Sequence, residues 1–127
     1  MHVPALRINS ILEDWATITP PIENFTVENV LYAANLDESY YGDVFKYLMR
    51  LQGYMLNAVQ IVLCPNNHKC HIYKLDEPIN YEEVYECWCS EDEFEPDNVL
   101  IAFQFAKEFI DECKKKSVIN KSILQLV

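Results

Sequence analysis

Metal-ligating side chains are concentrated just past the midpoint of this 127-residue chain, where four of its five cysteines lie between positions 64 and 89. Clustered cysteines in a chain that begins without a recognisable secretory signal favour a metal site or free thiols over a disulfide framework. Zinc takes four nitrogen or sulfur ligands at tetrahedral positions. Such a site would force two separate segments to meet, which constrains the fold strongly. The residues of the cluster are Cys64, His68, Cys70, His71, Cys87 and Cys89.

The predicted ligands of a structural Zn²⁺ are four cysteines, with one histidine as a substitute for any of them: Cys64, Cys70, Cys87, Cys89 and His68. Two other states stay open. One is a metal-free hairpin with partly buried thiols. The other is a disulfide, joining either Cys64 to Cys89 or Cys70 to Cys87. Catalytic zinc is disfavoured, because it needs an open coordination position beside a general base, and no residue near the cluster supplies that base convincingly.

The first half of the chain carries the apolar periodicity of helices. A first helical face lies within residues 6–18 and stops at the proline pair 20–21, because the residue before a proline is pushed out of the helical region. Thr26 is a suitable N-cap for a second helix. A third helix begins near Glu38 and ends at Gly53. Two short helices joined by a turn of three to four residues form the pattern of a helix-turn-helix.

The second half changes to the short β-branched runs of strands. The predicted strands are Ala58–Leu63, His71–Leu75 and Val84–Cys89. Residues 90–97 form a strongly acidic run that we interpret as a loop. An amphipathic C-terminal helix is predicted over residues 97–116, with Cys113 in its apolar face and three lysines at its end, where cations complement the helix dipole. The apolar tail beyond Lys116 is expected to form a last strand or short helix that serves attachment or oligomerisation.

Residues 26–75, a helix-turn-helix followed by a strand hairpin, resemble a winged helix. A second helix that reads DNA should expose basic or amide side chains. Here Lys46 and Arg50 are opposed by Glu38 and Asp43, and the formal net charge of −10 would repel a phosphate backbone. Winged helices also serve as protein-docking modules, and the acidic balance favours that use.

Residues 58–90 resemble a zinc-ribbon knuckle, because the run Cys64–Cys70 follows a predicted strand and is followed later by Cys87–Cys89. Paired cysteines of a ribbon usually have two residues between them. Here the first pair has five and the second has one, and Asn67 stands where a second cysteine is expected. In a strand, the pleat would point both cysteines of the second pair to the same face. The resemblance implies an irregular ribbon, or one that has lost its metal.

Together these patterns predict one α+β domain over residues 1–127, with N-terminal helices, a small antiparallel sheet and a C-terminal helix. No apolar stretch is long enough to span a membrane, and two glycines are too few for a phosphate-binding loop. We interpret the chain as a non-catalytic, cytoplasmic adaptor module, either an accessory subunit or a domain of a larger protein, whose acidity suits a basic protein partner. Two alternatives stay open: a winged-helix DNA-binding regulator, and an acidic inhibitor that mimics nucleic acid.

Overall fold

In the computed structural model, the described residues, 3–18 and 22–125, form four α-helices, one short 3-10 helix and five strands. This confirms the predicted α+β class with a C-terminal helix. Side chains are described through Lys116. The predicted helix stop at the proline pair 20–21 and the role predicted for the apolar side chains of the tail therefore lie outside the described residues. Over the described part of the chain, no helix is both long and apolar enough to cross a bilayer.

The chain divides into two compact units, which we describe separately. The first combines Met1–Asn57 with Gln104–Val127, and the second is Ala58–Phe103. The helices are α1 (Ala5–Thr17), α2 (Val27–Ala34), α3 (Tyr41–Arg50) and α4 (Lys107–Gln125), with the 3-10 helix Glu38–Tyr40 directly before α3. The strands are β1 (Leu56–Leu63), β2 (Lys69–Lys74), β3 (Tyr85–Cys87), β4 (Ser90–Phe94) and β5 (Asn98–Phe105).

Apolar packing organises the first unit, in which α1 contacts both α2 and α4. The buried face of α1 repeats at helical spacing and consists of Ile8, Leu12 and Ala16. Ring contacts with centroids 5.2 to 5.9 Å apart continue this core in the order Trp15, Phe25, Phe105 and Phe109. Cys113 of α4 is buried as predicted, and burial raises the pKa of its thiol. These contacts explain why helices with little intrinsic stability of their own hold together here.

Both helices of the predicted helix-turn-helix are present. Thr26 begins α2 with a reciprocal cap, because its hydroxyl accepts a hydrogen bond from the Asn29 backbone N–H at 3.3 Å and the Asn29 side chain accepts one from the Thr26 N–H at 2.9 Å. α2 ends at Asn35, which adopts the left-handed conformation with φ of 57°. Gly53 follows α3 with φ of 96°, a conformation open to glycine. The winged-helix resemblance stays a prediction.

Strand β1 lies at the centre of a three-stranded sheet with the order β2-β1-β5. It pairs with β2 in the antiparallel sense, which confirms the predicted hairpin. β1 is buried along most of its length, as its apolar, β-branched sequence requires, whereas β2 is largely exposed at the sheet edge. The core of this sheet consists of Val59, Ile61, Leu63, Leu100 and Ala102.

The acidic run 90–97 was wrongly interpreted as a loop, because it contains strand β4. β4 pairs with β3 in a separate two-stranded antiparallel sheet, in which Cys87 lies opposite Ser90 and Tyr85 lies opposite Phe94. Acidic residues are poor strand formers on their own. The pairing partner outweighs that preference here, since the acidic side chains of β4 remain exposed to water.

The single helix predicted over residues 97–116 is also wrong in its first half. Residues Asn98–Phe105 form β5, and helix α4 begins only at Lys107. α4 continues to Gln125, so residues 117–125 extend this helix and do not form the separate strand or short helix that was predicted for the tail. Residues 99–106 form an apolar run interrupted only by Gln104, which fits a helix and a buried strand equally well. β-branched and aromatic residues are enriched in this run, and they favour a strand.

The cap of α2 yields a direct test of the fold. Thr26→Ala removes the hydroxyl that accepts the Asn29 N–H, so we expect a loss of about 1 kcal/mol in the free energy of unfolding by urea. Thr26→Ser keeps the hydroxyl and should stay within a few tenths of a kcal/mol of the parent. Equal stabilities of the alanine and serine variants would contradict the observed cap.

Candidate metal centre

Two candidate ligands lie in the turn that joins β1 to β2. Cys64 directly follows β1, and its backbone N–H donates to the His68 carbonyl at 3.0 Å. The Asn67 N–H in turn donates to the Cys64 carbonyl at 2.8 Å, and Asn67 takes the left-handed conformation with φ of 64°. Asparagine tolerates this conformation better than most residues. The turn therefore folds His68 back onto Cys64, so that the His68 backbone N–H donates to the Cys64 Sγ at 3.3 Å.

The other two candidate ligands lie in the turn that joins β3 to β4. Cys87 ends β3 and pairs with Ser90 of β4, so Trp88 and Cys89 are the two residues of a tight hairpin turn. The alignment of the two cysteines thus depends on the turn, and not on the pleat of a continuous strand as predicted. Cys87 is buried and Cys89 is half-buried, whereas Trp88 is 85% exposed.

The two turns bring four ligand atoms together. One atom from each of four residues lies within 4.8 Å of all the others: Cys64, His68, Cys87 and Cys89. The Cys64 and Cys89 sulfurs are 3.7 Å apart. Two sulfurs that each lie about 2.3 Å from a tetrahedral zinc ion are separated by about 3.8 Å. The Cys87 sulfur lies 4.0 Å from the His68 Nδ1. This group of one imidazole and three thiols can hold a metal ion.

The thiols of this group differ in acidity. Burial raises the pKa of Cys64, but the backbone N–H groups of His68 and Asn66 lower it, and hydrogen bonds from neighbouring thiols lower it further, to about 6. The pKa of Cys89 is raised, because burial and nearby thiols outweigh the hydrogen bond from the Asn66 side chain. The backbone N–H and thiol of Cys89 lower the pKa of Cys87, but burial and the thiols of Cys70 and Cys64 outweigh them, so this pKa is raised too. This environment favours ionisation of one thiol, that of Cys64, and a bound cation would favour ionisation of all three.

Two residues support the group from outside. The Asn66 side-chain amide donates to the Cys89 sulfur at 3.5 Å and so joins the two turns. The Trp88 ring stacks on the His68 imidazole, with ring centroids 4.8 Å apart and planes at 29°. Partners of this kind orient metal ligands and adjust their basicity. The sequence pattern did not single out Asn66, because nothing in a turn-rich run marks which amide faces a thiol on another segment.

The remaining candidates lie outside the four-residue group. Cys70 belongs to β2, and its thiol donates to the His68 carbonyl at 3.5 Å. His71 also belongs to β2, where its ring contacts Tyr73 with centroids 4.3 Å apart. All five cysteines are free, so neither predicted disulfide is present. Among the predicted ligands, the structure thus brings His68, in place of Cys70, into a group with the other three cysteines.

A cavity of about 240 Å³ adjoins the thiols. Cys64, Cys87 and Cys89 contribute to its wall, together with Asp92, Glu93 and other residues of the β3–β4 hairpin. Sequence reasoning did not link these two acidic residues to the cysteines. Their link to the cysteines depends on β4 folding back along β3, and the acidic run was interpreted as a loop.

Comparison with known proteins yields no match: no family model, no curated protein and no solved structure resembles this chain significantly. The winged-helix and zinc-ribbon resemblances therefore stay at the level of motifs.

The acidity of Cys64 can be tested on metal-free protein. Its folded-state pKa of about 6 lies below the ordinary value of 9.0, so the thiolate contributes stability above pH 9 that is lost as the pH falls through 6. We expect one thiolate absorbance step near pH 6, while Cys87 and Cys89 titrate above the ordinary thiol range. Cys64→Ser should remove the step near pH 6, and Cys113→Ser should leave it. A first step that appears only near pH 9 would contradict the geometry of the turn.

Proposed function

We propose that this chain is a non-catalytic adaptor module in which a structural Zn²⁺ pins the β3–β4 hairpin to the turn after β1. The observation that carries the proposal is the convergence of one histidine nitrogen and three cysteine sulfurs, all within 4.8 Å, from two turns. Three thiolates and one imidazole form a ligand set of structural zinc. Soft sulfur ligands also disfavour magnesium and calcium, which prefer oxygen.

The number of candidate ligands supports a structural role for the metal. Structural zinc sites use four protein ligands, whereas catalytic sites keep one position for water or substrate. Here His68 would be the fourth ligand beside Cys64, Cys87 and Cys89. The half-buried thiol of Cys70 donates to the His68 backbone carbonyl and also contacts the Cys87 thiol, but Cys70 is not a member of the four-residue group. Zinc bound in this way would stabilise the unit Ala58–Phe103 and would not activate a water molecule.

Exposed aromatic surface supports a role in protein binding. Trp88 is 85% exposed at the tip of the hairpin, although one face of its ring is stacked on His68. Tryptophan is enriched among the residues that dominate binding energy at protein interfaces. A ring held on a metal ligand is already ordered before a partner arrives, so binding costs less side-chain entropy. The zinc centre would thereby present Trp88 to a partner.

The zinc centre predicts a specific pattern of metal content. Protein prepared without added zinc or chelator should contain about one zinc per chain, and chelation should lower the thermal stability of the unit Ala58–Phe103, whose apolar core keeps the metal-free form folded at room temperature. Cys89→Ser should weaken zinc affinity by more than about 100-fold, because it removes a ligand and not an outer partner. Cys70→Ser is the matched control and should keep the metal. Equal zinc loss in both variants, or no zinc in the parent, would contradict the proposed centre.

The adaptor role is tested by site-specific crosslinking in cells. A photoreactive side chain in place of Trp88 should yield a covalent adduct with one partner protein. The same side chain in place of Glu82, which is also exposed in this unit, should yield none. Cys89→Ser should abolish the adduct, because the hairpin loses its metal. The absence of an adduct at position 88, or equal adducts at both positions, would refute this role for the hairpin tip.

A further inference from the structure

Negative charge is concentrated in the unit that contains the metal centre. Residues Ala58–Phe103 include ten acidic and two basic residues, a net charge of −8 out of the −10 carried by the whole chain. The two basic residues, Lys69 and Lys74, both belong to β2. A Zn²⁺ ion with three thiolate ligands would carry a further net charge of −1. This unit therefore attracts cations and repels nucleic acid.

The cavity beside the thiols lies within this negative field. Asp92 and Glu93 contribute to its wall, and neither is in an ion pair with any side chain of the described chain. Cys64, Cys89 and Phe94 add sulfur and aromatic surface to the same wall. The cavity therefore combines unneutralised carboxylates with weakly polar surface that water solvates poorly.

We propose that this cavity receives an arginine side chain from a basic segment of a partner protein. A guanidinium group is planar, weakly hydrated and permanently charged, so it pairs with carboxylates and also stacks on aromatic rings. A lysine ammonium holds its hydration more strongly and gains less from sulfur and aromatic walls. Trp88, whose side chain is exposed, stands in the sequence between Cys87 and Cys89, and both cysteines contribute to the cavity wall. We expect a segment that enters the cavity to contact Trp88 as well.

This inference deepens the proposed adaptor function and names the chemistry of its partner. The probe is a blocked five-residue peptide of alternating glycine and arginine, compared with the same peptide carrying citrulline, which has the same shape without the charge. Binding is measured at low salt by amide NMR shifts and by Trp88 fluorescence in a Trp15→Phe background. We expect saturable binding of the arginine peptide, with the largest amide shifts at Cys64, Asn66 and residues 87–94. The citrulline peptide, which lacks the guanidinium charge, should bind about tenfold more weakly or worse.

Two double variants distinguish peptide binding in the cavity from nonspecific electrostatic attraction to the acidic unit. Asp92→Asn with Glu93→Gln neutralises the carboxylates of the cavity wall and should weaken peptide binding by about tenfold. Glu91→Gln with Glu95→Gln removes the same net charge from the same segment outside the cavity, so the loss should stay below about threefold, as expected for screened surface charges. Equal losses in both double variants, or equal affinities for arginine and citrulline, would overturn the proposal. Self-association that displaces the peptide would also overturn it, because the occupant would be a second copy.

The zinc content of the same samples distinguishes the two proposals. A parent with one zinc per chain that fails to discriminate arginine from citrulline overturns the arginine site and leaves the zinc centre standing. A metal-free parent that still binds arginine selectively supports the arginine site and refutes the zinc centre. Both double variants should keep the parent's zinc content, since none of the four substituted residues belongs to the ligand group.

Discussion

The approach of two turns, one after β1 and one between β3 and β4, is the contact on which the rest of the second unit depends. Between them they place three thiols and an imidazole within 4.8 Å of one another. Without a cation, backbone N–H groups and hydrogen bonds from neighbouring thiols outweigh burial at Cys64 and favour one thiolate there over the others. A two-stranded hairpin is marginally stable by itself, and β4 adds mostly exposed acidic side chains. A metal ion that links the turns would therefore stabilise the hairpin and offset local repulsion.

The two units reach stability by different means. The first buries apolar helix faces and a line of aromatic rings, which is the ordinary route for a helical core. The second has an apolar sheet core but also holds ten of the chain's 20 acidic residues. Charge of one sign destabilises a compact unit through self-repulsion. The negative charge of this unit lies beside the thiol centre, the cavity and Trp88, and a basic partner that binds there would reduce the repulsion.

The helices and the first hairpin could be predicted because their signals are local. Thr26 caps α2 through a residue three positions away, and the β-branched run before Cys64 favours a strand whatever it contacts. The predictions were wrong where pairing with a segment distant in the sequence determines the secondary structure. The acidic run forms β4 because β3 pairs with it, and the first half of the predicted C-terminal helix forms β5 because it joins the sheet beside β1. An apolar run has no periodicity that separates these alternatives.

By itself, the sequence determined which residues were candidates for the metal centre, since cysteine thiolate and histidine imidazole are the preferred ligands of structural zinc and these residues cluster in one region. It also determined the net charge of −10 from which we predict poor binding of nucleic acid. Tertiary structure decided which candidates meet. The turn at Asn67 folds His68 back to Cys64, while Cys70 lies in β2 beyond that turn and Cys89 turns toward Cys64 at the hairpin tip. Spacing along the chain cannot reveal this selection, because ligand distances depend on how two separate turns are oriented in space.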